Sequence, residues 1–244
     1  PQDGSLQVAL ALALQAEGRH AEAEPVFRAA LALRPADATI PLNLGVTLRA
    51  LGRTAEAGPC FRRALDLRPD YPEALINLGA VALEAGSFVE SETMQRRALA
   101  LRPDSAEAHL GLGNVLMARG QPAQAAASYR TAIRLAPARL DARSNLHAAL
   151  AKLKAWPEML ANAEAIRAAH PASAFGPFAA GDALLGLARF DDAIAAYRAA
   201  IALDPQQHTA WEGIGNAHRS LNRIDAAIAA YRQAVLTGPE NHSA

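Results

Sequence analysis

Asn43, Asn77 and Asn145 recur at a spacing of 34 residues or twice that, and Gly111 stands at the one place skipped. An asparagine amide offers two donors and an acceptor. Amides held in such a column could pair with the backbone of an extended peptide whatever its side chains. Phe175 and Phe178, three apart, would project to one side of a helix. Exposed, they would form an aromatic anchor of the kind that dominates protein interfaces; packed against a tilted neighbour, they would be core. The histidines are His20, His109, His147, His170, His208, His218 and His242, and none stands at a short metal-ligand spacing from another or from Cys60. No catalytic, metal or cofactor site is expected. His218 shares a column otherwise filled mainly by leucine, which predicts a core or interface histidine.

What must position these residues is a repeat. Pro35, Pro69, Pro103, Pro137, Pro171, Pro205 and Pro239 follow one another at intervals of 34 without insertion or deletion. Between prolines lie two apolar helical stretches, predicted in the second repeat over 39–51 and 55–67. Proline cannot continue a helix, so each second helix must end there. Pro25 and Pro59 fall inside second helices and predict mild local distortion. Gly18, Gly52, Gly86 and Gly120 mark the turn between the helices and suit a left-handed helix end. Lys154, Ala188 and Asn222 occupy that place later; Asn tolerates the backbone, and the other two predict a different turn.

The period and pattern resemble the tetratricopeptide repeat family. The repeats run approximately 4–37, 38–71, 72–105, 106–139, 140–173, 174–207 and 208–241, a single array over 1–244. The resemblance implies an all-α fold, a right-handed α-solenoid of helix-turn-helix repeats. Small residues (Gly45, Gly79, Gly113, Gly181, Gly215; Ala23, Ala57, Ala125, Ala193, Ala227) would let the two helices meet. Leu10, Leu44, Leu78, Leu112, Leu146 and Ile214, with Phe27, Phe61, Tyr129, Tyr197 and Tyr231, would fill around them.

Family ligands lie against the first helices, on the concave face. Carried onto this chain, those columns hold Leu42, Asn43 and Arg49; Glu73, Ile76 and Asn77; Leu110 and Asn114; Asn145; Phe175, Phe178 and Asp182; and Asn216. The asparagine column resembles the peptide-holding asparagines of O-linked N-acetylglucosamine transferases. Family members that grip a partner's C-terminal carboxylate use lysines and arginines. This chain places no lysine there in its first four repeats and puts Glu73 where one would be wanted, which disfavours that mode.

Three functions follow as expectations. The first is a protein-interaction scaffold binding a peptide or helical segment of a partner; the second is the substrate-recruiting region of a larger enzyme resembling those transferases; the third is a module that self-associates through uncapped ends. Lys plus Arg and Asp plus Glu number 24 each, so no basic footprint for nucleic acid is present. No apolar run approaches the ~20 residues that cross a bilayer, and a cytoplasmic location is expected. Lysine occurs only as Lys152 and Lys154, a bias of GC-rich codons that points to a bacterial source. The first residue is not methionine, and 239–244 read as the opening of an eighth repeat, so a fragment of a longer protein is expected.

Repeat 5 is irregular: His147 replaces glycine, Met159 and Ile166 replace alanine, and Ala163 replaces the aromatic. Volume has moved between layers, a change tolerated better than overpacking, and it predicts a folded repeat with an altered helix–helix angle. Ser87 with Glu90 reads as a capping box. The column Arg28, Arg62, Arg96, Arg130, Arg198 and Arg232 reads as a solvated face.

Overall fold

The computed structural model describes residues 4–238, which form α-helices and no strand. Pro239, His242 and the expected eighth repeat lie outside the described residues. The chain divides into two compact units, 1–121 and 122–244. The N-terminal unit holds α1 (Gly4–Ala16), α2 (His20–Leu33), α3 (Thr39–Ala50), α4 (Thr54–Leu67), α5 (Pro72–Glu84), α6 (Phe88–Leu101) and α7 (Ala106–Ala118). The C-terminal unit holds α8 (Pro122–Leu135), α9 (Leu140–Leu153), α10 (Trp156–Ala169), α11 (Phe175–Gly186), α12 (Phe190–Leu203), α13 (His208–Ser220) and α14 (Ile224–Thr237).

Six second helices, α2 to α12, stop two residues before their proline, because the residue ahead of proline is pushed to an extended backbone. Arg68 and Asp204 show it, at φ −143° and −137°. Pro25 and Pro59 sit at the sixth position of α2 and α4, and both helices run through them. Ser87 does occupy the N-cap of α6, but its side chain makes no capping bond. The Phe88 amide donates instead to Gly86 O, holding Ser87 at ψ 66°, and Glu90 turns away to Arg62. The working cap is Ser105 of α7, extended at ψ 104°, whose Oγ accepts from the Ala108 amide at 3.2 Å.

Every turn between the helices of a repeat closes alike. The amides of Arg19, Arg53, Ser87, Gln121, Ala155, Arg189 and Arg223 each donate to a carbonyl five residues back, at 2.8–3.0 Å. That bond requires a left-handed residue just before the donor. Glycine supplies it in the first four turns (φ 71–75°), but Lys154 and Ala188 adopt it too, at φ 55° and 58°, beside Asn222 at 57°. The different turn expected at Lys154 and Ala188 is therefore corrected: helix packing dictates the backbone, and the side chain accepts the strain. A non-glycine residue there costs about 1–2 kcal/mol, partly offset by glycine's larger unfolded-state entropy. Ala188→Gly is expected to stabilise the chain by about 0.5–1 kcal/mol, read as a higher urea midpoint with unchanged slope.

The core follows the small and large columns. Phe27 and Phe61 are fully buried, as are Ala23, Ala57, Ala30 and Ala64. A methyl built at Gly45 would lie 2.5 Å from the Phe61 ring, so glycine there is a packing requirement. Leu10 is 53% exposed, unlike its equivalents Leu44 and Leu78, because no described helix precedes α1 to cover it. Cys60 is half-buried, and desolvation raises its thiol pKa. His218 is half-buried with an unpartnered Nδ1, and desolvation followed by the Arg223 charge holds it below the usual imidazole range.

Repeat 5 packs by exchange. Met159, Ala163 and Ile166 are buried at 1% exposure or less, and His147 at 6%. α9 and α10 approach less closely than the helices of the two following pairs. The arginine column is exposed, yet it is organised. Arg28 lies 2.9 Å from Glu24 and 3.5 Å from Glu56, Arg62 3.3 Å from Glu90, and Arg130 2.7 Å from Glu158. The contacts with Glu56, Glu90 and Glu158 cross from one second helix to the next. Exposed pairs of this kind contribute little stability individually, but they record how neighbouring helices are matched.

Candidate partner-binding surface

In the N-terminal unit the first helices α3 and α5 lie side by side. Asn43 and Asn77 are half-buried on them, each spending one amide hydrogen on its own helix: Asn43 Nδ2 donates to Thr39 O at 2.8 Å and Asn77 Nδ2 to Glu73 O at 2.9 Å. That bond four residues back fixes the rotamer. Arg49 then spans the two helices, donating to Asn77 Oδ1 at 3.1 Å and to Glu84 Oε1 at 2.9 Å. Glu73 meets Arg102 at 2.8 Å. Desolvation would raise the Glu73 carboxyl, but its own backbone amide and Arg102 outweigh it and hold it below the usual range.

Leu42, Ile76 and Leu110, placed in the lining by resemblance, are buried at 7%, 5% and 8% exposure. One residue is about 100° around a helix, so the leucine column turns inward where the asparagine column beside it remains half-exposed. Asn114 is half-buried on α7. Gly111, the gap in the asparagine column, has a cause that sequence reading missed. Gln95 takes the aromatic column's place in repeat 3, is 1% exposed, and donates to Ile76 O at 3.1 Å. A Cβ at Gly111 would lie 2.6 Å from its Cδ, leaving no room for asparagine. The signal was available, since glutamine replaces the Phe or Tyr of neighbouring repeats.

In the C-terminal unit, Asn145 is half-buried on α9. Phe175 and Phe178 are half-buried members of an aromatic row: His147 to Phe175 at 5.7 Å between centroids, Phe175 to Phe178 at 6.4 Å, Phe178 to Tyr197 at 5.9 Å. Of the two alternatives for this pair, packing describes most of their surface. Beneath the row, Tyr197 Oη donates to Asp182 Oδ1 at 2.7 Å, and His147 Nε2 lies 3.4 Å from Asp182 Oδ2. Burial first, then the Asp182 charge, pushes the Tyr197 phenol up. Tyr231 Oη donates likewise to Asn216 Oδ1 at 2.8 Å. Asn216 is thus engaged from below. A tyrosine fifteen residues after a polar acceptor is the pattern; Phe27 and Phe61 follow Leu12 and Val46 at the same spacing.

No group of three or more His, Cys, Asp or Glu that could hold a metal occurs among the described residues, and no helix there is long and apolar enough to cross a membrane. Family models for the tetratricopeptide repeat match residues 5–41, 36–104, and 90–139 with 178–242. The unmatched stretch contains the divergent repeat 5. No curated protein matches the chain. Among solved structures, a tetratricopeptide repeat protein from Parabacteroides merdae aligns over 99% of this chain and 96% of its own at 16% identity and TM-score 0.71. PilF from Pseudomonas aeruginosa aligns over 83% and 92% at 19% identity and TM-score 0.71. YrrB, a tetratricopeptide repeat protein with an unusual peptide-binding site, aligns over 75% and 95% at 23% identity and TM-score 0.63. With the repeat length, the seven identical turns and the small-residue packing, these matches make one conclusion: the chain belongs to the tetratricopeptide repeat family.

Proposed function

We propose that this chain is a protein-interaction scaffold that holds a peptide or helical segment of a partner against its first helices. The observation that carries the reading is the pair Asn43 and Asn77, whose amides are each pinned to their own helix, that of Asn77 being held in addition by Arg49 of α3. Each amide nitrogen keeps a second hydrogen that its own helix does not use. Side chains ordered before binding lose less entropy on binding. Asn145 stands in the same column in the C-terminal unit, and Asn216 in the column of Asn114. YrrB, which shares the fold, has a peptide-binding site, and this supports a peptide as the ligand class. The same face would serve a larger glycosyltransferase-like enzyme as its substrate-recruiting region. A self-associating module would join instead through the exposed Ile228, Val235 and Leu236 of α14.

The test begins with peptides selected from a random library on the unmodified chain. Asn43→Ala and Asn77→Ala together are expected to weaken the selected peptide about fivefold or more, since each lost hydrogen bond contributes roughly 0.5–1.5 kcal/mol. Circular dichroism should stay unchanged. Equal affinity by fluorescence anisotropy would remove the amides from the site.

A further inference from the structure

On the second-helix face of the C-terminal unit, a cleft opens between α10 and α12 above Pro177 of α11. It comprises adjoining cavities of about 400 and 320 Å³ that share Glu164, Arg167, Pro177 and Ala199. The equivalent place four repeats earlier, between α2 and α4, holds a cavity of about 350 Å³ lined by Arg28, Pro35 and Arg63. The repeat therefore supplies its own reference for what belongs there.

In the reference junction, Arg28 pairs with Glu24 and reaches Glu56 on the next second helix, while Arg63 donates to the Pro35 carbonyl at 3.5 Å. The following junction repeats both contacts: Arg62 lies 3.3 Å from Glu90, and Arg97 donates to the Pro69 carbonyl at 3.4 Å. At the α10–α12 junction both arginines are gone. Glu164 stands in the register of Arg28, and Ala199 in the register of Arg63. Asp192 keeps the acidic register of Glu56. Two carboxylates thus face the place where other junctions hold a guanidinium.

The neighbouring bases do not fill the deficit. Arg189 holds Asp192, with Nε donating at 2.8 Å, but it stands in the register of Arg53, which the reference junction possesses in addition to Arg28. Arg167 lies one turn from Glu164 without pairing to it, and its aliphatic stem packs against Gly176. Glu164 has no ion-pair partner among the described residues. The floor and far wall, Pro177, Ala180, Ala196 and Ala199, are small and apolar, the surface on which an arginine stem lies well.

We propose that this cleft is a second docking site, separate from the first-helix face, that receives an arginine side chain presented by a partner protein. The guanidinium pairs with Glu164 and Asp192, and its stem lies over Ala199 toward Pro171, supplying from outside the guanidinium that Arg28 provides in the reference junction. Arginine fits better than lysine because its planar fork reaches two acceptors at once, here two carboxylates, whereas ammonium is a compact point charge.

The experiment titrates the isotope-labelled chain with the peptide acetyl-Ala-Leu-Arg-Leu-Ala-amide, reading backbone amide shifts by NMR. Saturable shifts at Glu164, Ala168, Asp192 and Ala199 are expected, with apparent affinity about fivefold weaker in Glu164→Gln, the loss of one charge-assisted contact. Replacing the peptide's arginine by lysine should weaken it about threefold, and by norleucine should abolish the shifts. The double variant Glu164→Arg, Ala199→Arg rebuilds the reference junction and should remove binding while raising the thermal midpoint. Shifts confined to other surfaces, or equal affinity for the norleucine peptide or for Glu164→Gln, would overturn the proposal. The asparagine variants of the first-helix face should leave these shifts unchanged, so the two sites fail or stand separately.

Discussion

Tyr197→Ala is expected to remove about 3–5 kcal/mol of stability, the range for deleting a buried aromatic side chain, and to divide the unfolding of the C-terminal unit into two steps. The ring is 1% exposed and lies between the backbones of α11 and α13, where Gly181 and Gly213 admit it. A methyl at Gly181 would come within 2.5 Å of its Cε1. One face touches Phe178 and the hydroxyl reaches Asp182, which in turn faces His147 of repeat 5. Repeats 6 and 7 therefore meet at this side chain, and repeat 5 is linked to it through Asp182. In a repeat array stability is approximately the sum of repeat and nearest-neighbour interface contributions, and this substitution weakens two interfaces at once. Tyr197→Phe separates the parts, since it keeps the ring and should cost only about 0.5–1.5 kcal/mol for the lost hydroxyl bond. Urea unfolding followed by circular dichroism measures both. A single sharp transition for Tyr197→Ala, shifted by less than the Phe variant, would show that the ring does not join the repeats.

The fold was legible because a 34-residue period constrains every element several times over. In repeat 2 the helices expected over 39–51 and 55–67 are found as Thr39–Ala50 and Thr54–Leu67. The periodicity failed where tertiary packing overrode local preference. Nothing in Ala188 or Lys154 announces a left-handed backbone; the helix pair around them imposes it. Ser87 looked like a cap because its type and its distance from Glu90 fit, but ψ is set by the turn before it. The arginine column was legible as exposed, while its acidic partners, 28 residues downstream, became visible only once the second helices lay side by side. The candidate site was legible by column and not by depth. Leu42 and Asn43 are adjacent in sequence, and rotation about the helix alone makes the first core and the second surface.

Gly45→His and Phe61→Ala should each destabilise the chain severely and should partly rescue one another. Phe61→Ala empties a fully buried site and is expected to cost about 3–5 kcal/mol. Gly45→His drives an imidazole into the space of the Phe61 ring and should exceed the roughly 1–3 kcal/mol usual for overpacking. Repeat 5 already carries this exchange. His147 stands in the register of Gly45 and Ala163 in that of Phe61, and both are buried, at 6% and 0% exposure. If the exchange is compensatory, the double variant will be more stable than the sum of the single changes by about 2 kcal/mol, within the range for residues in direct contact. A full double-mutant cycle in urea measures that coupling. Additive losses would mean that Met159 and Ile166, which enlarge the facing column in repeat 5, are the necessary partners of His147; adding Ala57→Met and Ala64→Ile to the double variant would then restore what the pair alone did not.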